Sequence, residues 1–156
     1  MNDFKKFPGV EVAVMFFAGW QARDLLNAWQ HSPHDHFGWL VLGVWLLPLV
    51  VRLCIRPQAI FSANPFMLGA AIIAGFLGAL TELHFFGQVA FALAFAAWFN
   101  LSWHVLFWLT TALAWMPVFG WWLADFSGAT VLILRLLLAI AGIIGLGTKA
   151  WLTCET

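Results

Sequence analysis

Long apolar runs broken at intervals by short polar clusters dominate the chain. Crossing a hydrocarbon core takes about 20 residues, with a range of roughly 17 to 25, and about six stretches approach that length. The first covers residues 8–26, with Glu11 inside it and Arg23 and Asp24 near its end. The second covers residues 37–55, with Arg52 placed to snorkel from its last turn. After the Arg56-Pro57 break, Asn64 offers a cap and Pro65 a first helical position, which predicts a third helix over residues 65–83. Residues 85–123 carry no charge. As one straight helix they would rise about 58 Å, twice what a bilayer core of about 30 Å holds. The run therefore folds as a hairpin about its polar turn Asn100-Leu101-Ser102, giving spans over 85–99 and 103–123, the latter kinked at Pro117. A sixth covers 128–147.

Composition agrees with this pattern. Hydrophobic residues make up 63% of the 156 and charged residues 9%, where a soluble domain carries about a quarter charged. Mean hydropathy is +0.92. Eleven Trp and sixteen Phe stand against no Tyr, and Trp at headgroup depth is a usual membrane pattern. The expected fold is all-α: a polytopic integral membrane helical bundle of about six transmembrane helices forming a single transmembrane domain. The first stretch lacks a small-residue cleavage exit and is read as a retained span, not a signal peptide. Lys5, Lys6, Arg52, Arg56 and Lys149 fall on one face of six alternating crossings, and Arg23 on the other. That bias puts both termini in the cytoplasm of a bacterial-type inner membrane, with residues 27–36, His84 and Asp125 outside.

Net charge is zero and no Lys/Arg run is present, which excludes a nucleic-acid partner on electrostatic grounds. Cys54 and Cys154 are too few and too far apart for a disulfide framework or a CxxC knuckle, and are read as free thiols near the cytoplasmic side. Nucleophile elbows, Gly-rich phosphate loops and HExxH are absent, which argues against an enzyme acting alone.

Three histidines, His31, His34 and His36, share one outer loop, and the topology puts Glu82 and His84 on the same side. Imidazoles with a carboxylate suit zinc or copper, but this spacing matches no defined site and polar loops also collect solvated histidines, so both readings stand. A bis-histidine haem fails, because His84 and His104 lie about 20 Å apart along the membrane normal. A single-His haem or one shared with another subunit stays open, and no cofactor is expected from this chain alone. Among intramembrane polar residues, Glu11 lies towards the inner face, and Arg135 lies roughly 10 Å below the start of its helix. A charge there is costly and faces protein or a wet crevice; Asp125 and Glu82 are the expected partners of Arg135. Small residues at Ala71, Gly75 and Ala79, and at Ala141 and Gly145, form stripes on which helices pack closely.

The order of several motifs resembles the N-terminal half of the exosortase and archaeosortase family of membrane transpeptidases. They are Trp29-x-x-Ser32-Pro33-x-x-x-Phe37-Gly38-Trp39, a basic inner loop, Gly75-x-x-Gly78-x-x-x-Glu82-Leu83, Trp115-Met116-Pro117 and Leu134-Arg135, spread over residues 29–147. In that family a Cys and basic residues on later helices cleave C-terminal sorting signals. Here Cys154 is followed only by Glu155 and Thr156, without the family's Ser-Gly context, and Cys54 is on the inner side. The resemblance therefore implies a scaffold or half-protein with no catalytic residue carried over. The leading expectation is a non-catalytic, exosortase-like subunit with a membrane-protein partner or a second copy of itself. A redox or metal-binding subunit of a respiratory-type complex, using the outer histidines, is the alternative, and a small transporter the third.

Overall fold

The structure is a computed structural model that describes residues 9–55 and 63–152. Lys5, Lys6, Arg56 and Cys154, used above for orientation and chemistry, lie outside the described residues. The described residues are mostly helical, with no strand among them. In chain order the helices are α1 (Gly9–Gln21), α2 (Asp24–His31), α3 (Gly38–Ile55), α4 (Pro65–Thr81), α5 (His84–Ala96), α6 (Trp103–Thr110), a 3-10 stretch (Thr111–Trp115), α7 (Pro117–Trp122) and α8 (Gly128–Leu152).

Two helices are long and apolar enough to cross a membrane by length and composition, Gly38–Ile55 and Gly128–Gly147, which points to membrane association. Pro65–Thr81 and His84–Ala96 are apolar but shorter. The first expected span is split: α1 stops at Gln21 and α2 begins at Asp24. A continuous helix from 8 to 26 would have carried Arg23 and Asp24 down its last turn; the break lets both reach an edge recess instead. The fifth expected span is in three pieces, and its irregularity begins at Thr111, ahead of Pro117. The Thr111 hydroxyl donates to the Trp108 carbonyl at 2.6 Å and that of Thr110 to Phe107 at 2.7 Å, so both side chains satisfy themselves on the preceding turn.

Capping explains where the regular pieces start. Asn64 accepts from the Phe66 N–H at 3.0 Å with Pro65 at the first helical position of α4, as the sequence implied. Ser102 caps α6 by accepting from Val105 N–H. Glu82 closes α4 in the left-handed region, φ 57°, a conformation that costs a residue with a Cβ roughly 1–2 kcal/mol. Its role is thus that of a turn residue between α4 and α5.

The core is organised by indoles. Trp45 of α3 and Trp108 of α6 are fully buried and stack with ring centroids 4.0 Å apart and planes 3° from parallel. Each donates its Nε1–H to the other's backbone carbonyl, at 3.1 and 3.2 Å. Trp115 and Phe99 meet this pair edge-on. Arg52 does not snorkel outward. It is buried, with its guanidinium over the Phe99 ring at 5.1 Å.

The two glycines of the small-residue stripes lie against rings of neighbouring helices. At Gly75 a Cβ would overlap the Phe17 ring of α1, and at Gly145 the Phe107 ring of α6. Ala71 is buried, whereas Ala79 and Ala141 face outward. Close approach at these glycines thus serves contacts between helices of this chain.

Candidate functional site

Ser32-Pro33-His34-Asp35 forms a turn in which the Asp35 N–H donates to the Ser32 carbonyl at 3.2 Å. Pro33 at its second position pre-sets the backbone for such a turn. The Gly38 N–H then donates to the Asp35 carbonyl at 2.7 Å, so the chain turns twice and carries Asp35 inward. On α8 the buried positions Val131, Arg135, Ala139, Gly142 and Leu146 recur at helical spacing and make one inner face. Arg135 is therefore a core position by register. The two residues meet: Arg135 Nη2 donates to Asp35 Oδ1, with Arg135 1% and Asp35 6% exposed.

Gly120 of α7 makes the meeting possible. A Cβ there would fall on both the Asp35 carboxylate oxygen and Arg135 Nη2. The Arg135 guanidinium also lies 5.9 Å from the Phe119 ring centroid. In this dry setting the mutual attraction is offset by desolvation, so the pair contributes little net stability but strongly penalises removal of one partner. It ties the loop after α2 to α8, a hundred positions apart. Arg135 Nε and Nη1 are buried and have no hydrogen-bond partner among the described residues.

Asp35 also lines a recess of about 410 Å³ between the 32–35 turn, α5 and α7. Phe85, Pro117, Val118 and Trp121 provide apolar walls, and Ser32, His34 and Gln88 are its other polar side chains. Gln88 is buried, and His34 Nδ1 is buried without a partner among the described residues.

The other residues singled out in the sequence are dispersed. Arg135 faces protein, but its partner is Asp35; Asp125 and Glu82, the partners expected from topology, are both exposed. Asp125 sits between α7 and α8, too near the start of α8 for its side chain to enter the bundle beside Arg135. Glu11 is buried in the first turn of α1, where a helix N-terminus favours negative charge, and its Oε2 has no partner among the described residues. The outer histidines divide. His31 Nδ1 is 3.0 Å from the Asn27 carbonyl on its own helix, His36 packs edge-on to Phe37, and His34 turns into the recess. His84 pairs with Asp24, Nδ1 to Oδ2, at 2.7 Å. That pair, Glu82 and Arg23 line a separate polar recess of about 300 Å³. Among the described residues no three His, Cys, Asp or Glu side chains come together as a metal-ligand group. His104 is exposed, and Cys54 is an exposed free thiol.

Sequence reasoning missed Asp35 as a site residue, although the Ser-Pro-x-Asp turn was there to be read. It also missed the Asp24–His84 pair, which sits where α2 begins after the break that follows Gln21. Compared with protein-family models, curated proteins and solved structures, the chain matches none. What it can do is therefore argued from its own surfaces.

Proposed function

We propose that this chain is a multi-pass protein of a bacterial-type inner membrane that acts as a non-catalytic, exosortase-like scaffold, a subunit held to a membrane-protein partner. The observation that carries the reading is the outward side of α8. Ile133, Leu137, Ile140 and Ile144 are all exposed there, spaced four, three and four residues apart. That is the seam on which two helices pack side by side. Only 28% of the Gly128–Gly147 window and 33% of Gly38–Ile55 are buried within the protein. The core helix of a water-soluble domain would be covered, so these faces fit lipid or another helix.

Six crossings with both termini inside remain the arrangement that the basic residues favour. The motif resemblance over residues 29–147 supplies the exosortase-like part, and the lack of a recognisable nucleophile motif supplies the non-catalytic part. Native mass in mild detergent tests the partner. A complex heavier than one chain is expected, and Ile140→Trp, which overfills the seam, is expected to release the monomer. A well-behaved lone monomer for the unaltered chain would count against the proposal.

A further inference from the structure

The recess beside Asp35 and Arg135 has a lining that selects a kind of ligand. Its walls are mostly apolar, with aromatic rings from Phe85 and Trp121, and its polar side chains are Ser32, His34, Asp35 and Gln88. Asp35 is already occupied by Arg135 Nη2, so the floor is electrically balanced. What remains is the Gln88 carboxamide and the His34 Nδ1, both buried, the latter without a partner among the described residues. The Gln88 amide donates two hydrogens, and a neutral imidazole donates at Nδ1 in one of its tautomers.

Charge decides among head groups. An anion would sit beside the Asp35 carboxylate at low dielectric, where like charges disfavour each other strongly. A cation would compete with Arg135 for the same carboxylate. A neutral head with carbonyl acceptors disturbs neither and takes up the free donors. Arg135 lies roughly 10 Å down its helix from Gly128, at the depth of a bilayer's upper hydrocarbon. A flat apolar ring with a hydrocarbon tail partitions there. A volume of about 410 Å³ is in the range of small-molecule sites and admits one such ring.

We propose that this recess binds a lipid-soluble quinone, its ring between the apolar walls and its carbonyls accepting from Gln88 and His34. The inference needs the membrane setting but not a protein partner, and native mass reads that partner independently.

The test is equilibrium binding of decylubiquinone to the purified full chain in lipid nanodiscs, with oleate as an anionic amphiphile in parallel. Saturable binding of one quinone per chain is expected. Gln88→Leu should weaken it about five- to tenfold, the effect of one lost hydrogen bond. Trp121→Ala should weaken it by a similar factor and, because Trp121 is 74% exposed, leaves the core intact. Trp103→Ala, outside the recess and 84% exposed, should bind as the unaltered chain does. No saturable quinone binding by folded protein, equal affinity in the Gln88 and Trp121 variants, or saturable binding of oleate in place of quinone would each overturn the proposal.

Discussion

At Arg135 the physics is that of a charge which tolerates its depth only because Asp35 is beside it. Removing one member leaves the other buried and unpaired, a loss of about 3–5 kcal/mol, whereas replacing both with apolar groups is close to neutral. Arg135→Leu is therefore expected to insert normally yet unfold much more easily in a denaturing-detergent titration. Adding Asp35→Leu should recover most of the loss, and the coupling from the double-mutant cycle measures the pair. Gly120→Ala should resemble the single variants, since its methyl group occupies the place of the pair. If Arg135→Leu proved as mild as Asp125→Asn at an exposed position, the pair would not be coupled to folding at all.

Between elements, the strongest tie is the reciprocal indole pair joining α3 to α6. Pro48 lacks a backbone donor, so the ladder of α3 has a gap in the turn after Trp45. The Trp108 carbonyl, next to the tightened 3-10 stretch, accepts from both Trp45 Nε1 and the Thr111 hydroxyl. The carbonyl that Pro48 leaves without its helical donor is that of Val44, while the two indoles add second donors to the carbonyls of Trp45 and Trp108 and so tie the irregular stretches together. Trp45→Phe removes one indole donor and part of the stacked surface, with an expected loss of about 2 kcal/mol. The coupled near-ultraviolet circular dichroism of the stacked rings should vanish with it. Trp103→Phe, on the surface, should stay within about 0.5 kcal/mol of the unaltered chain and keep that signal.

For the whole molecule, the arrangement proposed above places Cys54 and Asp125 on opposite sides of the membrane. Cys54 is an exposed thiol. With Cys154 replaced by Ser, a membrane-impermeant maleimide should label it in inverted vesicles and not in intact spheroplasts. Asp125→Cys, in a chain where Cys54 and Cys154 are both Ser, should label with the opposite sidedness. Labelling of both positions from the same side would refute the alternating topology. α4 and α5 are about 26 and 20 Å long at 1.5 Å per residue, shorter than a bilayer core of about 30 Å.

The residue pattern by itself determined the all-helical class, the cap at Asn64, and the expectation that Arg135 turns towards protein. These depend on local terms: apolar length, side chains that satisfy nearby backbone groups, and the expense of an unpaired charge in an apolar layer. Which acid meets Arg135 was decided only by the tertiary structure. Topology ranks Asp125 and Glu82 by depth, but the pairing depends on a turn that folds Asp35 inward and on a glycine in a third element that leaves room for both side chains. The breaks after Gln21 and at Thr111 were likewise hidden. Both stretches are apolar enough to read as continuous, and their interruptions coincide with contacts across the bundle, Trp108 with Trp45 beside Thr111 and Asp24 with His84 after Gln21. Periodicity reports which face of a helix is apolar, and it carries no information about which distant residue fills the space against it.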